Sequence, residues 1–143
     1  MEKRKAIVTG SSSGIGKAIT SILLKSGADV IGIARDHEKF EPNFACYLPI
    51  SLDLSDFEKI ESVIPQLLIE HSDIDVLICN AGHGDFQALE NFSPKQISKF
   101  INLNLISHII LCRHLVSHMK AKGNGDIIAV SYTHLTLPTI CSV

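Results

Sequence analysis

Short apolar runs along this chain alternate between a strand-like and a helix-like spacing. Residues 5–8 are a brief strand-like run that stops at polar Thr9. Ile15, Ala18, Ile19, Ile22 and Leu23 then fall at i, i+3, i+4, i+7 and i+8, one face of a helix. The run Ile22, Leu23, Leu24 reads as core, and Gly27 ends the helix as a residue free to take positive φ. Residues 29–34 read as a second strand, the polar stretch 36–43 has room for a short helix, and 44–50 read as a third strand with Pro49 near its end. Ser55 and Glu58 have the spacing of a capping box. Phe57, Ile60, Ile64, Leu67 and Leu68 mark the face of the helix that follows, which Pro65 should kink or split. Residues 75–79 are a fourth strand. Ser93, with Pro94 behind it and Gln96 at N3, opens a helix that runs to Lys122, ahead of Gly123. That helix is apolar on more than one face between Phe100 and Leu111, as expected of one buried by its sheet and by a partner subunit. Residues 126–130 are a fifth strand.

Strand–helix alternation without repeats or linkers predicts an α/β fold: a doubly wound parallel sheet, helices on both faces, strand order 3-2-1-4-5. Ligands of such sheets bind beyond the C-terminal strand ends, near the point where the strand order reverses. The singular residues of this chain collect there. Gly10, Gly14 and Gly16 lie in the turn after strand one, Arg35 ends strand two and Asp53 follows strand three. Asn80, Ala81 and Gly82 follow strand four, and Ser131 ends strand five. A glycine-rich turn between a strand and a helix is a phosphate cradle. Glycine lets an anion approach the main chain, and the free N–H groups and positive dipole end of the helix attract it.

Composition narrows the possibilities. The chain has 143 residues, 45% hydrophobic and 20% charged, with a net charge of -2. That length suits one domain, and that charge makes no case for nucleic acid or an anionic membrane. No uninterrupted apolar run approaches the ~18 residues of a membrane span. Cys46, Cys79, Cys112 and Cys141 are far apart, which suits a reduced, cytoplasmic protein. His114 and His118 are spaced i, i+4, but without the glutamate of a zinc-protease motif they read as ordinary histidines, and no metal site is expected. Asp53 and Asp56 read as a helix start rather than an acid/base pair.

Taken together, the motifs resemble those of the classical short-chain dehydrogenases/reductases. They are Thr9-Gly-x-x-x-Gly-Ile-Gly16, the pair Asp53 and Leu54, Asn80-Ala-Gly82, Asn104, and the strand ending at Ser131. The resemblance covers residues 3–131 and implies a Rossmann-like domain that moves a hydride between a nicotinamide dinucleotide and an alcohol or carbonyl substrate. It implies that Gly10, Ser12, Ser13, Gly14, Ile15 and Gly16 hold the pyrophosphate side. Arg35, Asp53, Leu54, Asn80, Ala81 and Gly82 would hold the ribose and adenine side. Asn104 would interrupt its helix and hold a water in the proton relay, as the one matching catalytic residue. Arg35 favours NADP, whose 2′-phosphate it would clamp, while Asp36 next to it leaves NAD as the alternative. The parent enzyme is expected to be a homo-oligomer.

The resemblance breaks near the C-terminus. The family's Tyr-x-x-x-Lys pair is absent from the sequence, and the register of its catalytic serine falls on Tyr132. Residues 132–143 look like adapter-derived read-through, so the expectation is an incomplete domain, 1–131, with a non-family tail, and a fragment without reductase activity. Its fifth strand should be an open sheet edge, and its long helix should expose apolar surface. Asp85, Phe86 and Gln87 border the expected substrate side. Two other readings compete: a non-catalytic dinucleotide-binding module, and an interaction protein using the long helix as a dimer surface.

Overall fold

The computed structural model describes residues 3–38, 40, 42–85 and 87–131. Phe86, the position of the expected serine at Tyr132, and the tail 132–143 lie outside the described residues. Five parallel strands form one sheet in the order β3-β2-β1-β4-β5. They are β1 (Lys5–Thr9), β2 (Asp29–Ala34), β3 (Tyr47–Ser51), β4 (Val76–Cys79) and β5 (Asp126–Ala129). The helices are α1 (Gly14–Lys25), α2 (Phe57–Glu70), α3 (Pro94–Ile101) and α4 (Ser107–Lys122). The fold class and strand order are those read from the sequence.

The pleat sends alternate residues to opposite faces of the sheet. Ile7, Ile31, Ile33, Leu77 and Cys79 face one way and pack on Ile60, Ile64 and Leu67 of α2 and on Leu111, Leu115 and Met119 of α4. Ala6, Val8, Val30 and Ile78 face the other way, under Leu24, Ile19 and Leu23 of α1. Lys5 pairs with Asp29 and Thr9 with Ile33, so β1 and β2 start level and β2 runs one residue further, to Ala34. Pro49 sits within β3, where an edge strand tolerates the missing donor.

Several local expectations need correction. The buried stripe of α1 is Gly16, Thr20 and Leu24, while Ile15 is 55% and Ile22 66% exposed. The helix is rotated because Gly16 must lie against the Gly10 carbonyl and Asn80. The cap of α2 is Asp56, which accepts from the Lys59 N–H at 3.1 Å. Ser55 instead donates to the Asp53 carboxylate, through its N–H at 2.9 Å and its hydroxyl at 2.7 Å. Pro65 does not split α2, because buried Ile60 and Ile64 before it and Leu67 after it hold one helix on the sheet. The described residues between 36 and 43 form a turn, in which Asp36 Oδ1 accepts the Glu38 N–H at 2.7 Å.

Other expectations match. Ser93 and Gln96 form a reciprocal capping box with Pro94 at the helix start. Gly27, at φ +90°, follows α1, and Gly123, at φ +75°, ends α4. β5 is exposed along its length, with Ile127 at 39% and Ile128 at 49%. Ile97, Ile101, Leu105 and Ile109 form an exposed apolar stripe at a four-residue spacing. The continuous helical path Pro94–Lys122 has a mean hydropathy of 1.3 in its most apolar window, long and apolar enough by composition to cross a membrane. Polar residues such as Asn102, Asn104, Ser107 and His108 interrupt that path, and its C-terminal part is α4, which covers the sheet through Leu111, Leu115 and Met119.

Candidate active site

The C-terminal ends of β1 to β4 open onto a cavity of ≈ 370 Å³. Gly10, Ser12 and Ser13 of the first turn line one wall, and residues 33–36 at the end of β2 line the next. Leu52, Asp53 and Leu54 after β3 and Ala81, Gly82 and His83 after β4 complete it, with Leu103 at its back. The structure therefore brings together Gly10, Ser12, Ser13, Arg35, Asp53, Leu54, Ala81 and Gly82. Gly14, Ile15, Gly16, Asn80 and Asn104 are not in its lining; Gly16, Asn80 and Asn104 stand behind it, where their contacts hold the glycine turn and the turn after β4. Ser131 is exposed beyond β5 and outside that lining.

The floor is a hydrogen-bonded lock between the first and fourth strands. Thr9 is fully buried, and its hydroxyl donates to the Ile78 carbonyl at 3.2 Å. The same oxygen accepts the N–H groups of Asn80 at 2.8 Å and Ala81 at 2.9 Å. The Asn80 carboxamide returns the contact, donating to the Thr9 carbonyl at 3.0 Å. This fixes the turn after β4 against the glycine turn. Thr9 was not among the site residues read from the sequence. The signal available was a polar residue ending an otherwise apolar strand.

The glycine turn is fitted to that lock. Gly10 has φ +67° and donates its N–H to the Ile33 carbonyl at 2.8 Å, laying the turn across the end of β2. A Cβ on Gly16 would strike the Gly10 carbonyl and the Asn80 amide, so only glycine lets α1 come this close. Ser13 is the N-cap of α1 in extended geometry, and its side chain makes no capping bond. The first turn carries no acidic residue. The first N–H groups of α1 have no intrahelical partner. Together with the Ser12 and Ser13 hydroxyls they form a donor set suited to an anionic group, with the positive end of the helix dipole behind it.

At the other end of the cavity Arg35 is exposed and makes no ion pair among the described residues. The Asp53 carboxyl is held below its ordinary range by the Ser55 hydroxyl and then the Ser55 N–H, with the charges of Arg35 and Lys99 adding to the effect.

Behind the turn after β4, residues Asn102–Ile106 form a single π-helical turn between α3 and α4. It carries Asn104, whose Oδ1 accepts the His83 N–H at 2.9 Å and whose Nδ2 donates to the His83 carbonyl at 2.8 Å. The Ser107 hydroxyl donates to the Leu103 carbonyl at 2.6 Å within the same widened turn. A π turn adds a residue to the helix and re-aims the side chains after it. His83 is a further residue that the sequence reading missed, because its bonds to Asn104 are made by its main chain; its ring lies 5.9 Å from that of Phe100. Burial pushes the Cys79 thiol up to about 12, with the neighbouring Cys112 thiol adding, so Cys79 is an inert core group. His114 lies 3.3 Å from Glu61, and His118 contacts the Ile74 carbonyl at 3.2 Å.

Comparison with known proteins agrees with this geometry. The sequence model for the short chain dehydrogenase family matches residues 4–141. The 2-dehydro-3-deoxy-D-gluconate 5-dehydrogenase of Bacillus subtilis is 31% identical over 137 residues, covering 92% of this chain and 54% of that one. The chain thus spans about half the length of the curated relatives it matches. Among solved structures, a short-chain dehydrogenase from Streptomyces avermitilis superposes with a TM-score of 0.84 at 31% identity, covering 91% of this chain and 49% of that one. 4-Hydroxyisoleucine dehydrogenase in complex with NADH superposes at 0.80 with 25% identity, over 90% and 56% of the two chains. ElxO with NADP bound superposes at 0.82 with 25% identity, over 91% and 56%. On the family match and the parallel sheet with its glycine-turn site, this chain belongs to the short chain dehydrogenase family.

Proposed function

We propose that this chain is the dinucleotide-binding half of an NAD(P)-dependent oxidoreductase acting on an alcohol or carbonyl substrate. The observation that carries the reading is the lock of Thr9, Asn80 and the glycine turn, which sets the bare N-terminus of α1 beside an open cavity. Main-chain N–H groups at Gly14, Ile15 and Gly16, with the Ser12 and Ser13 hydroxyls, would receive a pyrophosphate. Asp53, Leu54 and Ala81 would flank the adenine and ribose, and Gly82 would let the ribose pass close to the main chain. When bound, the nicotinamide dinucleotide supplies or accepts the hydride. Asn104 would act on the proton side, holding a water while its carboxamide keeps His83 in place.

NADP is the favoured cofactor. Arg35 is free to meet a 2′-phosphate, whereas Asp36 directs one carboxylate oxygen to the Glu38 N–H in its own turn. A carboxylate aimed at a ribose 2′-OH would instead mark an NAD site. Relatives of known structure carry NADH in one case and NADP in another, which supports the dinucleotide class. The exposed stripe Ile97, Ile101, Leu105 and Ile109 suits a homo-oligomeric parent.

A second reading has its own observation: the sequence contains no Tyr-x-x-x-Lys pair. Without a tyrosine whose pKa a lysine lowers, the chain lacks the family's proton donor, and it would bind a dinucleotide without turning it over. Titration of the purified chain with NADPH and NADH tests both readings. Saturable binding without oxidation of NADPH over a panel of ketones supports a binding half that lacks its catalytic pair. Turnover would overturn that inactivity, and absence of binding to either dinucleotide would overturn the site itself.

A further inference from the structure

Beneath the cavity wall formed by β2, a part-buried chain of polar side chains joins three separate segments. Tyr47 opens the edge strand β3 and pairs in register with Val30. From there its ring leans along β2, and its hydroxyl lies 3.5 Å from Ser11 Oγ and 3.2 Å from His37 Nδ1. His37 Nε2 in turn lies 3.1 Å from the Ile50 carbonyl. A carbonyl only accepts, so in the neutral ring Nε2 carries the proton and Nδ1 accepts from the Tyr47 hydroxyl. The tyrosine oxygen then accepts from Ser11. The chain therefore has one direction, from Ser11 through Tyr47 and His37 to the main chain of β3.

Gly32 makes room for it. Glycine inside a central strand weakens that strand unless something approaches closely. A Cβ on Gly32 would lie 2.6 Å from Ser11 Oγ and 2.7 Å from Tyr47 Cε2, inside the path of the chain. Ser11 is fully buried, and the Tyr47 ring is braced edge-on by Phe40, with ring centres 5.7 Å apart. Ser11 belongs to the glycine turn, and His37 follows Arg35 and Asp36 directly.

We infer that Ser11, Tyr47 and His37 are positioning residues that fix the Arg35–Asp36 loop against the glycine turn, and thereby set the discrimination between adenosine ligands with and without a 2′-phosphate. The inference rests on the dinucleotide reading of the same cavity. Its physical basis is geometric. A charge-assisted bond from a guanidinium to a phosphate depends on where the arginine's main chain is held. The 5′-phosphate side rests on residues beyond Ser11 in the glycine turn, which the Thr9–Asn80 lock holds separately. Loosening the strut should therefore cost the 2′-phosphate contact and spare the rest.

The test is calorimetric titration of the purified chain with 2′,5′-ADP and with 5′-AMP. The unaltered chain should prefer 2′,5′-ADP. Tyr47→Phe, which deletes only the hydroxyl, should reduce that preference about tenfold, with 5′-AMP affinity within about twofold of the original. His37→Gln should act in the same direction and serves as the second variant should Tyr47→Phe fail to fold. An unchanged preference in a folded variant, or equal weakening of both ligands, would overturn the inference and leave the site reading intact. Failure of the unaltered chain to bind either ligand would overturn both.

Discussion

The carboxamide of Asn104 pairs with both main-chain polar groups of His83, at 2.9 Å and 2.8 Å, as a neighbouring strand would. A residue in the helical path between α3 and α4 thereby tethers the turn after β4. Two bonds of this kind contribute on the order of 1–2 kcal/mol. Asn104→Ala should therefore destabilise the chain by about that amount and raise amide hydrogen exchange at His83 most of all. Exchange at His83 no faster than in the unaltered chain would show that the turn is held by other contacts.

Thr9 should be the most sensitive polar residue of the site. Thr9→Val keeps the shape but leaves the part-buried N–H groups of Asn80 and Ala81 without their acceptor. The expected loss is about 1–3 kcal/mol, read from the urea midpoint, because each orphaned, part-buried donor retains part of its desolvation penalty. Thr9→Ser, which keeps the oxygen, should recover most of it.

Gly16→Asp should abolish dinucleotide binding. Its side chain would meet the Gly10 carbonyl and Asn80, and it would place a negative charge at the end of α1 offered to an anion. Gly16→Ala removes the charge effect and keeps the clash, which costs about 1–3 kcal/mol of overpacking. Fluorescence titration with NADPH separates the two. Full affinity in Gly16→Ala would mean that α1 shifts freely.

Stability should decline as the solution is acidified. Burial lowers the pKa of His108, and its hydrogen bond to the Ala81 main chain only partly opposes this. From about pH 6.5 down to the lowered folded value, the unfolded chain binds a proton that the folded chain does not, so stability falls with pH. Near pH ~4 the lowered pKa of Asp53, held by Ser55, and of Asp56, held by the Lys59 N–H, adds a second loss of the same sign. Urea midpoints should drop between about pH 7.5 and about pH 5.5. His108→Leu should flatten that window and leave the acid one in place.

Capping gives a sharper contrast. Asp56→Ala should lower the urea midpoint more than Ser55→Ala does, because Asp56 caps α2 and Ser55 only supports Asp53. Equal losses would restore Ser55 as the cap.

The order of strands and helices was determined by the sequence alone, because hydrophobic period and helix-boundary chemistry act within a few residues. Ser93, Pro94 and Gln96 cap α3 as their spacing predicts. The apolar strands β1, β2 and β4 form the buried centre of a parallel sheet, and the glycine turn lies where a strand meets a helix. Tertiary structure decided what depends on partners distant in the chain. Ser55 and Asp56 are both competent caps, and the pull of Asp53 on Ser55 left the role to Asp56. Ile15 and Ile22 fit an apolar face, yet α1 turns them outward because Gly16 has to reach Gly10 and Asn80. Thr9 joins Asn80, 71 positions away, only once β1 and β4 lie side by side. The same holds for Asn104 with His83 and for Tyr47 with Ser11. Local periodicity carries no information about which polar groups will meet, because those meetings are set by the packing of whole elements.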